Sequence, residues 1–266
     1  MDWCSVYSAR APTLSDFVQE RVIYCGDAAH LLPIFGVRGA DTGLQDVQNL
    51  GWKLAAVVQS RAPMALLQSY SVERVAAARE IVPEAGKSTR FMTPPTPGLR
   101  LLRDATLSLA LSQDFVRPLM HWRTSRPHEY RESSLNSDGD DAAQFQGGPA
   151  PGAVMLSLRM AEDHYLLDAP RTGFTLLLFF DQPVPAPLQT AAQQWRAQGG
   201  ELDIVTLPRG AANGDAWRRY GVVAEGAAYL VRPDQQVCAR WLQLSRAQLW
   251  RALARGLAHR STEQYS

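Results

Sequence analysis

The segment from Arg21 to Ala55 constrains the fold of this chain more than any other part of the sequence. A short apolar run, Val22 to Cys25, ends in Gly26-Asp27, which is typical of a buried strand with a glycine at its exit. Gly26 would let the chain turn sharply where this strand ends. Apolar residues then recur at helical spacing between Thr42 and Ser60. The pattern predicts a strand, a glycine-bearing loop and a helix with one apolar face. That face comprises Leu44, Val47, Leu50, Leu54, Val57 and Val58.

Three features of this segment suit a flat, polar ligand. Asp27 would lie at the carboxyl end of the strand, where α/β sheets usually bind ligands, and its carboxylate can accept hydrogen bonds from sugar-like hydroxyls. Gly36 and Gly39 would let the loop backbone approach a planar ring closely. The helix that begins near Thr42, capped by Asp41 or Thr42, would direct free N–H groups and its positive dipole end at that ring. A ring that gains negative charge would be stabilised there.

The segment also resembles a known family. The matching positions run without a gap from Gly26-Asp27-Ala28-Ala29-His30 through Pro33, Gly36, Gly39, Thr42-Gly43, Gln45-Asp46, Asn49-Leu50 and Trp52-Lys53-Leu54. They resemble the second FAD-binding motif of the aromatic-ring hydroxylases, which are single-component flavoprotein monooxygenases. The later Tyr70-Ser71-Val72-Glu73-Arg74 resembles the family's next helix, and Arg171–Leu257 resembles the thioredoxin-like C-terminal domain of its larger members.

The resemblance implies FAD as the cofactor, NAD(P)H as the co-substrate and a small phenolic compound as the substrate. Asp27 would bind the ribityl chain, Pro33 would lie beside the isoalloxazine, and the backbone of Gly39 and Ala40 would contact the ring. The helix from Thr42 would face the N1–C2 carbonyl edge of the flavin. The implied cofactor-binding set is Gly26, Asp27, Pro33, Gly36, Gly39, Ala40, Asp41 and Thr42. No catalytic residue and no metal ligand is assigned.

The sequence departs from the family in two places that bear on activity. It contains no G-x-G-x-x-G spacing, the turn that holds the FAD pyrophosphate in the family, and Asp41 stands where the family usually has Asn. The chain therefore resembles the C-terminal half of a longer enzyme, and we expect it to be inactive alone. An N-terminal half that carries the glycine turn is the implied partner. The thioredoxin-like tail lacks C-x-x-C, so no redox role is assigned to it.

The resemblance and the composition together predict an α/β protein with two domains. Residues 1–122 would form the C-terminal portion of a Rossmann-like FAD-binding domain, with a strand, a loop and long helices. Residues 123–151, rich in Arg, Ser, Asp, Gly and Pro, are interpreted as a linker. Residues 152–266 would form a small thioredoxin-like α/β domain in the order β-α-β-β-α. Its predicted strands are Phe174–Phe180, Leu202–Leu207, Ala227–Arg232 and Val237–Leu242, and Ser245 is expected to cap its last helix. Prolines after position 82, beginning with Pro83, are expected to break the second helix.

Charge and residue usage exclude several other classes. The 27 Lys and Arg residues against 26 Asp and Glu give a net charge of +1, which argues against nucleic acid as a partner. The three cysteines form neither a zinc ribbon nor a disulfide framework. The longest apolar run, Phe174 to Phe180, is too short for a membrane span, and residues 1–20 show no signal peptide. We therefore expect a cytoplasmic location and no membrane partner, with a homodimer as one expected assembly.

Two other interpretations stay open. The chain could be a non-catalytic interaction fragment built on its helices and tail, or one chain of a split flavoenzyme. Single residues also allow two interpretations: His30 as a general base or a structural loop histidine, and Asp46 and Lys53 as catalytic groups or as solvated or structural helix residues. Arg38 could meet an anionic group or lie in solvent.

Overall fold

The computed structural model describes residues 11–33, 38–119, 127–137, 144–168, 172–210, 213–223 and 226–259. The chain divides into two compact units. The first comprises Met1–Gln48 and Tyr70–His128, and the second comprises Asn49–Ser69 and Glu129–Ser266. Two helices cross this division, so each unit is assembled from separated stretches of sequence. The mixed helix and strand content agrees with the predicted α/β class.

The first unit opens with a small hairpin. Strands β1 (Val18–Gln19) and β2 (Val22–Ile23) pair antiparallel, and a single 3-10 turn follows over Gly26–Ala28. The prediction of a buried strand over residues 22–25 is wrong, because the paired part has two residues and the side chains of Val22 and Cys25 are exposed. An apolar run alone does not specify whether anything covers it.

Three helices complete the first unit, and the first two of them extend into the second unit. They are α1 (Gly39–Val58), α2 (Ala65–Met92) and α3 (Pro97–Ala110). Helix α3 begins where the Thr96 side chain accepts a hydrogen bond from the backbone of Leu99, which is an N-cap. The predicted break at Pro83 is wrong, because α2 continues through it. Pro83 is exposed while Ala85 is buried, so packing beyond the missing hydrogen bond keeps the helix intact.

Helix α1 exposes four of the six residues that its periodicity marks as an apolar face. Leu44, Val47, Leu54 and Val58 are exposed. The opposite side of the helix is buried and polar, with Thr42, Asp46, Asn49 and Lys53 almost inaccessible to solvent. The other two residues of the predicted face, Leu50 and Val57, are half-buried, and Val57 packs against a core cluster. Hydrophobic periodicity therefore located the helix, but only part of its apolar side is buried.

The second unit is built on a four-stranded sheet in the order β6-β5-β7-β8. Strand β5 (Phe174–Phe179) pairs parallel with β6 (Leu202–Thr206) and antiparallel with β7 (Ala227–Val231), which pairs antiparallel with β8 (Val237–Trp241). A separate small hairpin, β3 (Arg159–Ala161) and β4 (His164–Tyr165), precedes the sheet. The strands predicted near residues 174, 202, 227 and 237 are confirmed.

Helices α4 (Ala186–Ala197), α5 (Gly214–Arg219) and α6 (Arg246–Gly256) accompany the sheet. One core cluster includes Leu176 of β5, Trp195 of α4 and Leu253 of α6, and a second includes Phe179, Trp217 and Tyr229. Helix α6 starts at the predicted cap, Ser245, which forms a reciprocal capping box with Gln248.

The predicted linker contributes to this second unit. Within its described residues, Tyr130 and Leu135 are buried, and Leu135 joins the core of the sheet. The backbone N–H of Tyr130 also donates to the carbonyl of Gly152. Residues from Glu129 onward are counted with the second unit. The predicted domain boundaries and the thioredoxin-like character of the tail stay predictions.

Within the part of the chain that the structure describes, none of the helices is long and apolar enough to cross a membrane. The same residues contain no cluster of His, Cys, Asp or Glu that could hold a metal ion.

Candidate functional site

The candidate site is built on the turn at Gly26. Its φ is +57°, in the left-handed region that favours glycine, so the predicted sharp bend at this residue is confirmed. The carbonyl of Gly26 accepts hydrogen bonds from the backbone N–H groups of Ala29 and His30, at 2.9 and 3.0 Å. A Cβ added to Gly43, in the second turn of α1, would lie 3.6 Å from the Gly26 Cα. The turn therefore packs directly against the start of α1.

A buried carboxylate, Asp46 of α1, holds the turn in place. One of its oxygens, Oδ2, accepts hydrogen bonds from the Gly26 backbone N–H at 2.8 Å and from His30 Nε2 at 2.7 Å. The other, Oδ1, accepts from Arg74 Nε of α2 at 2.6 Å. Arg74 also donates to the carbonyl of Thr42 at 3.1 Å. One side chain thus joins the turn, the following loop and two helices.

The environment of Asp46 keeps this carboxyl group ionised. Burial by itself would raise the pKa of Asp46, but the hydrogen bond from His30, the positive charge of Arg74 and the Gly26 N–H outweigh it. The net effect lowers the pKa below its ordinary value of 3.8. Asp46 is a charged anchor, completely shielded from solvent.

Helix α2 fixes the hairpin before the turn. Tyr70 Oη donates to the carbonyl of Tyr24 at 2.8 Å. Ser71 Oγ donates to Asp16 Oδ1 at 2.5 Å and accepts from the backbone N–H of Phe17 at 2.8 Å. These residues and Arg74 lie within the Tyr70–Arg74 segment that resembles the family's helix. Its side chains bond backbone groups and carboxylates of the preceding elements, which is a positioning role.

The predicted cofactor-binding residues that the structure describes lie at the turn, in the loop and at the start of α1. The Asp27 side chain is exposed, and Pro33 is half-buried. Gly39, Ala40 and Asp41 form the first turn of α1, with Ala40 and Asp41 exposed, while Thr42 is buried. The eighth predicted residue, Gly36, lies outside the described residues. Their contact with a cofactor stays a prediction.

The polar groups at the turn and at the start of α1 fit the FAD that the sequence resemblance implied. None of the described residues donates a hydrogen bond or forms an ion pair with the Asp27 carboxylate, so its oxygens can accept hydroxyl groups of a ligand. The first N–H groups of α1 have no helical carbonyl to bond, and no atom lies within 4 Å of a Cβ built on Gly39. Carboxylate, free N–H groups and open backbone are the donors and acceptors that a ribityl chain and a flavin ring edge require.

The structure shows the hydrogen-bond partners of two polar residues whose roles the sequence left undecided. His30 is buried, its Nε2 bonds Asp46, and its Nδ1 has no hydrogen-bond partner among the described residues. Lys53, in the second unit, is also buried, and its Nζ donates to Asn49 Oδ1 at 2.8 Å. Asn49 in turn donates to Asp234 Oδ2 at 3.2 Å. Neither Asp46 nor Lys53 is solvated, and Arg38, the third open case, is buried too.

Sequence reasoning missed the network around Asp46. Its members are separated by 16 residues between His30 and Asp46 and by 28 between Asp46 and Arg74. A signal was present, because all three residues fall within motifs that matched the family. What the motif could not show is that these side chains bond one another instead of a ligand.

Comparisons with known proteins agree with this geometry. A family model described as an FAD binding domain matches residues 1–85. The 3-(3-hydroxy-phenyl)propionate/3-hydroxycinnamic acid hydroxylase of Mycolicibacterium vanbaalenii is 38% identical over 198 residues, which cover 74% of this chain and 35% of that protein.

Solved structures extend the match over nearly the whole chain. The rebeccamycin biosynthetic enzyme RebC with reduced flavin has a TM-score of 0.71 at 25% identity, covering 92% of this chain and 46% of that chain. A ternary complex of aklavinone-11 hydroxylase with FAD and aklavinone has a TM-score of 0.68 at 25% identity, covering 94% and 46%.

These matches make the chain similar to the FAD-binding flavoprotein monooxygenases. Within that class the chain is a relative of the FAD-dependent aromatic hydroxylases, as the sequence resemblance predicted. It spans 35% of the curated hydroxylase and less than half of the solved chains.

Proposed function

We propose that this chain forms the ribityl-facing and ring-facing side of the FAD site in a monooxygenase that hydroxylates a phenolic substrate with NAD(P)H as co-substrate. The observation that carries the proposal is the turn at Gly26, held by buried Asp46 against the start of α1, with the carboxylate of Asp27 left exposed. When bound, the flavin supplies the redox chemistry, and the protein supplies binding and orientation.

Each part of the site has a separate task in this proposal. Asp27 accepts hydrogen bonds from ribityl hydroxyls, and the first N–H groups of α1 point at the ring edge. The positive end of the α1 dipole favours negative charge on that ring by about 0.3–1 kcal/mol. Asp41, exposed in the first turn, opposes such charge, so its orientation tunes how much of that stabilisation remains. Asp46, His30 and Arg74 position the turn without touching the cofactor.

The substrate class is inferred from the relatives. The curated hydroxylase is named for 3-(3-hydroxy-phenyl)propionate and 3-hydroxycinnamic acid, both phenolic acids. The solved relative bound to aklavinone is also named a hydroxylase. The curated name states a phenolic ring, and we assign that class of substrate to this site.

The tail domain is proposed to be thioredoxin-like and without redox activity. The parallel pair β5–β6, the antiparallel hairpin β7–β8 and the flanking helices α4 and α6 support the fold. Cys238, the cysteine of this sheet, is buried in the core. A buried thiol with no second cysteine nearby in sequence has no route to disulfide exchange.

The decisive test is flavin binding by the Asp27→Ala variant. FAD is titrated against the full chain, alone and together with a polypeptide that carries a G-x-G-x-x-G turn, and binding is followed by flavin fluorescence. Removing one acceptor of charged hydrogen bonds is expected to weaken binding about tenfold or more. Asp203→Ala is the matched control, since Asp203 is an exposed carboxylate in β6 of the second unit. Unchanged FAD affinity for Asp27→Ala would contradict the assignment.

The second candidate function is a non-catalytic interaction module, which the missing G-x-G-x-x-G spacing favours. It predicts that FAD binds neither the chain alone nor the chain with the glycine-turn polypeptide at micromolar concentration. Binding only in the presence of that polypeptide would instead support the flavoenzyme, because the pyrophosphate and the ring would then be held by different portions. The same mixture should consume NAD(P)H when a phenolic acid and O₂ are supplied.

A further inference from the structure

A cavity in the second unit plays no part in the proposed flavin site. It is partly open to solvent and encloses about 330 Å³, which includes part of its opening. This volume is at the lower end of the range for small-molecule sites and suits a single ring. Every residue of its lining belongs to the second unit. The walls are mostly apolar and aromatic, and are formed by Trp52, Ala56, Phe174, Trp195, Pro233 and Leu257.

The cavity lies at the end of the sheet where β5 and β6 begin. Gly173 directly precedes β5 and Glu201 directly precedes β6, and both residues line the cavity. Two helices end beside it, because Trp195 lies in the last turn of α4 and Leu257 is the C-cap of α6. Pro233 reaches it from the turn between β7 and β8. Elements distant in sequence thus surround one space.

Two glycines allow the walls of the cavity to approach one another closely. A Cβ added to Gly200 would lie 2.2 Å from Trp195 Nε1, and one added to Gly173 would lie 2.3 Å from the Glu201 Cβ. Both distances are shorter than atoms can tolerate, so any other residue would push the walls apart. The N–H edge of the Trp195 indole therefore lies directly against the Gly200 backbone.

Hydrogen-bond donors in the cavity lining lack acceptors. Trp52 Nε1, Trp195 Nε1 and Arg61 Nε are shielded from solvent and have no hydrogen-bond partner among the described residues. An indole N–H can only donate, so only an acceptor can satisfy it. The side chain of Trp195 belongs to a residue that is 7% exposed, and a donor left unpaired at such a depth is costly. A ligand that brings an acceptor would remove that cost.

The charges at the cavity balance one another. Arg61 Nη1 and Glu201 Oε1 form an ion pair at 3.1 Å, and these are the two charged residues among the described residues of the lining. Neither a carboxylate nor an ammonium ligand would therefore find an unpaired counter-charge there. The ends of α4 and α6, where helix carbonyls carry partial negative charge, further disfavour an anion. The lining thus favours a neutral ligand.

We propose that this cavity binds a neutral aromatic molecule whose carbonyl oxygen accepts hydrogen bonds from the indole N–H groups of Trp52 and Trp195. The ring lies among the apolar walls, and the Gly199-Gly200 turn shifts aside so that the oxygen reaches the Trp195 N–H. Aryl ketones and quinones are the chemical class that combines a flat apolar ring with an acceptor and without a donor. The site is independent of the flavin, because none of its residues is used by the proposed function.

The test compares acetophenone with ethylbenzene, which has nearly the same shape but no acceptor. Each compound is titrated into the full, isotope-labelled chain, and the assigned indole N–H signals are followed by NMR. Acetophenone should bind with a Kd on the order of 1 mM or tighter and move the signals of Trp52 and Trp195 downfield. Ethylbenzene should bind about two- to tenfold more weakly, since it leaves both donors unpaired. Trp217 is the internal control, because its Nε1 already donates to the carbonyl of Leu207 at 2.9 Å.

Trp195→Phe separates the hydrogen bond from packing. The variant removes the donor and keeps an aromatic ring, so the affinity for acetophenone should fall about two- to tenfold while that for ethylbenzene changes less than about twofold. Trp217→Phe is the matched control and should leave the ratio of the two affinities unchanged. If Trp195→Phe does not fold, Trp52→Phe gives the same comparison at a half-buried position.

The titration of the wild type can overturn the proposal without any variant. Equal affinities for acetophenone and ethylbenzene would show a purely apolar cavity. Tighter binding of benzoate than of acetophenone would show an anion site. Signals of Trp52 and Trp195 that stay in place at millimolar acetophenone, or that move no more than the signal of Trp217, would show that the cavity does not bind this class of molecule.

Discussion

At the scale of single residues, the site depends on one buried charge. Asp46 accepts three hydrogen bonds from three separate elements, and the cation that balances it, Arg74, comes from another helix. Buried charges are tolerated only where partners replace the lost water. The exposed Asp27 and the buried Asp46 therefore have opposite tasks, the first toward a ligand and the second toward the fold.

Replacing Asp46 with Asn tests this anchor. The variant keeps the shape but leaves Arg74 buried without its counter-charge, so the free energy of unfolding should fall by about 3–5 kcal/mol. Urea denaturation followed by circular dichroism measures it. The control is Asp104→Asn, which affects an exposed ion pair with Arg103 and should cost less than about 1 kcal/mol. Equal losses in the two variants would contradict the anchor role.

The difference in unfolding free energy between the wild type and Asp46→Asn should depend on pH. Because the pKa of Asp46 is lower in the folded state than its ordinary value of 3.8, its contribution to stability is complete above that pH. It is lost as the pH falls below 3.8 and through the folded pKa. The stability difference between the wild type and Asp46→Asn should therefore be constant at neutral pH and narrow in acid. A difference that widens in acid would contradict the sign of the shift.

At the scale of elements, the sequence predicted where α1 lies along the chain but not which of its sides is buried. The helical spacing from Thr42 predicted α1 nearly to its observed end at Val58. The side that α1 buries could not be predicted, because it is set by Gly26 and Arg74, which lie 20 and 28 residues from Asp46. The break expected at Pro83 likewise failed, since packing on both sides of a proline can outweigh the lost hydrogen bond.

Pro83 is expected to reduce the stability of α2. Pro83→Ala restores a backbone N–H within the helix, and the residue is exposed, so no packing is lost. The free energy of unfolding is expected to rise, by up to about 3 kcal/mol. Thermal and urea denaturation measure it against Arg79→Ala, an exposed control on the same helix. A loss of stability would show that the local shape imposed by the proline is required.

At the scale of the whole molecule, the chain forms two units, and each unit combines two stretches that are separated in the sequence. The second unit takes in Asn49–Ser69 as well as Glu129 onward. Its core cluster combines Ala56 and Leu66 from the early helices with Leu135 and the sheet. Composition predicted a linker over 123–151 because polar and glycine-rich stretches usually lie outside cores, whereas burial of Leu135 depends on residues far along the chain.

Leu66 tests this assembly. It is completely buried in the core of the second unit although it belongs to the start of α2. Leu66→Ala should lower the free energy of unfolding by about 2–5 kcal/mol through lost burial and a cavity. Leu101→Ala on exposed α3 should change it by less than about 0.5 kcal/mol. If the two variants behaved alike, the segment 49–69 would not be part of that core.

The sequence by itself determined the local features of this protein: the glycine bend at Gly26, the extent of α1, the strands of the tail and its capping box at Ser245, and the likeness to flavoprotein hydroxylases. These features depend on backbone preferences and short-range spacing, which are properties of the local sequence. Only the tertiary structure decided that Asp46 anchors the turn and that Leu44 and Leu54 of α1 are exposed. Burial and pairing are set by partners distant in sequence, and no local pattern specifies them.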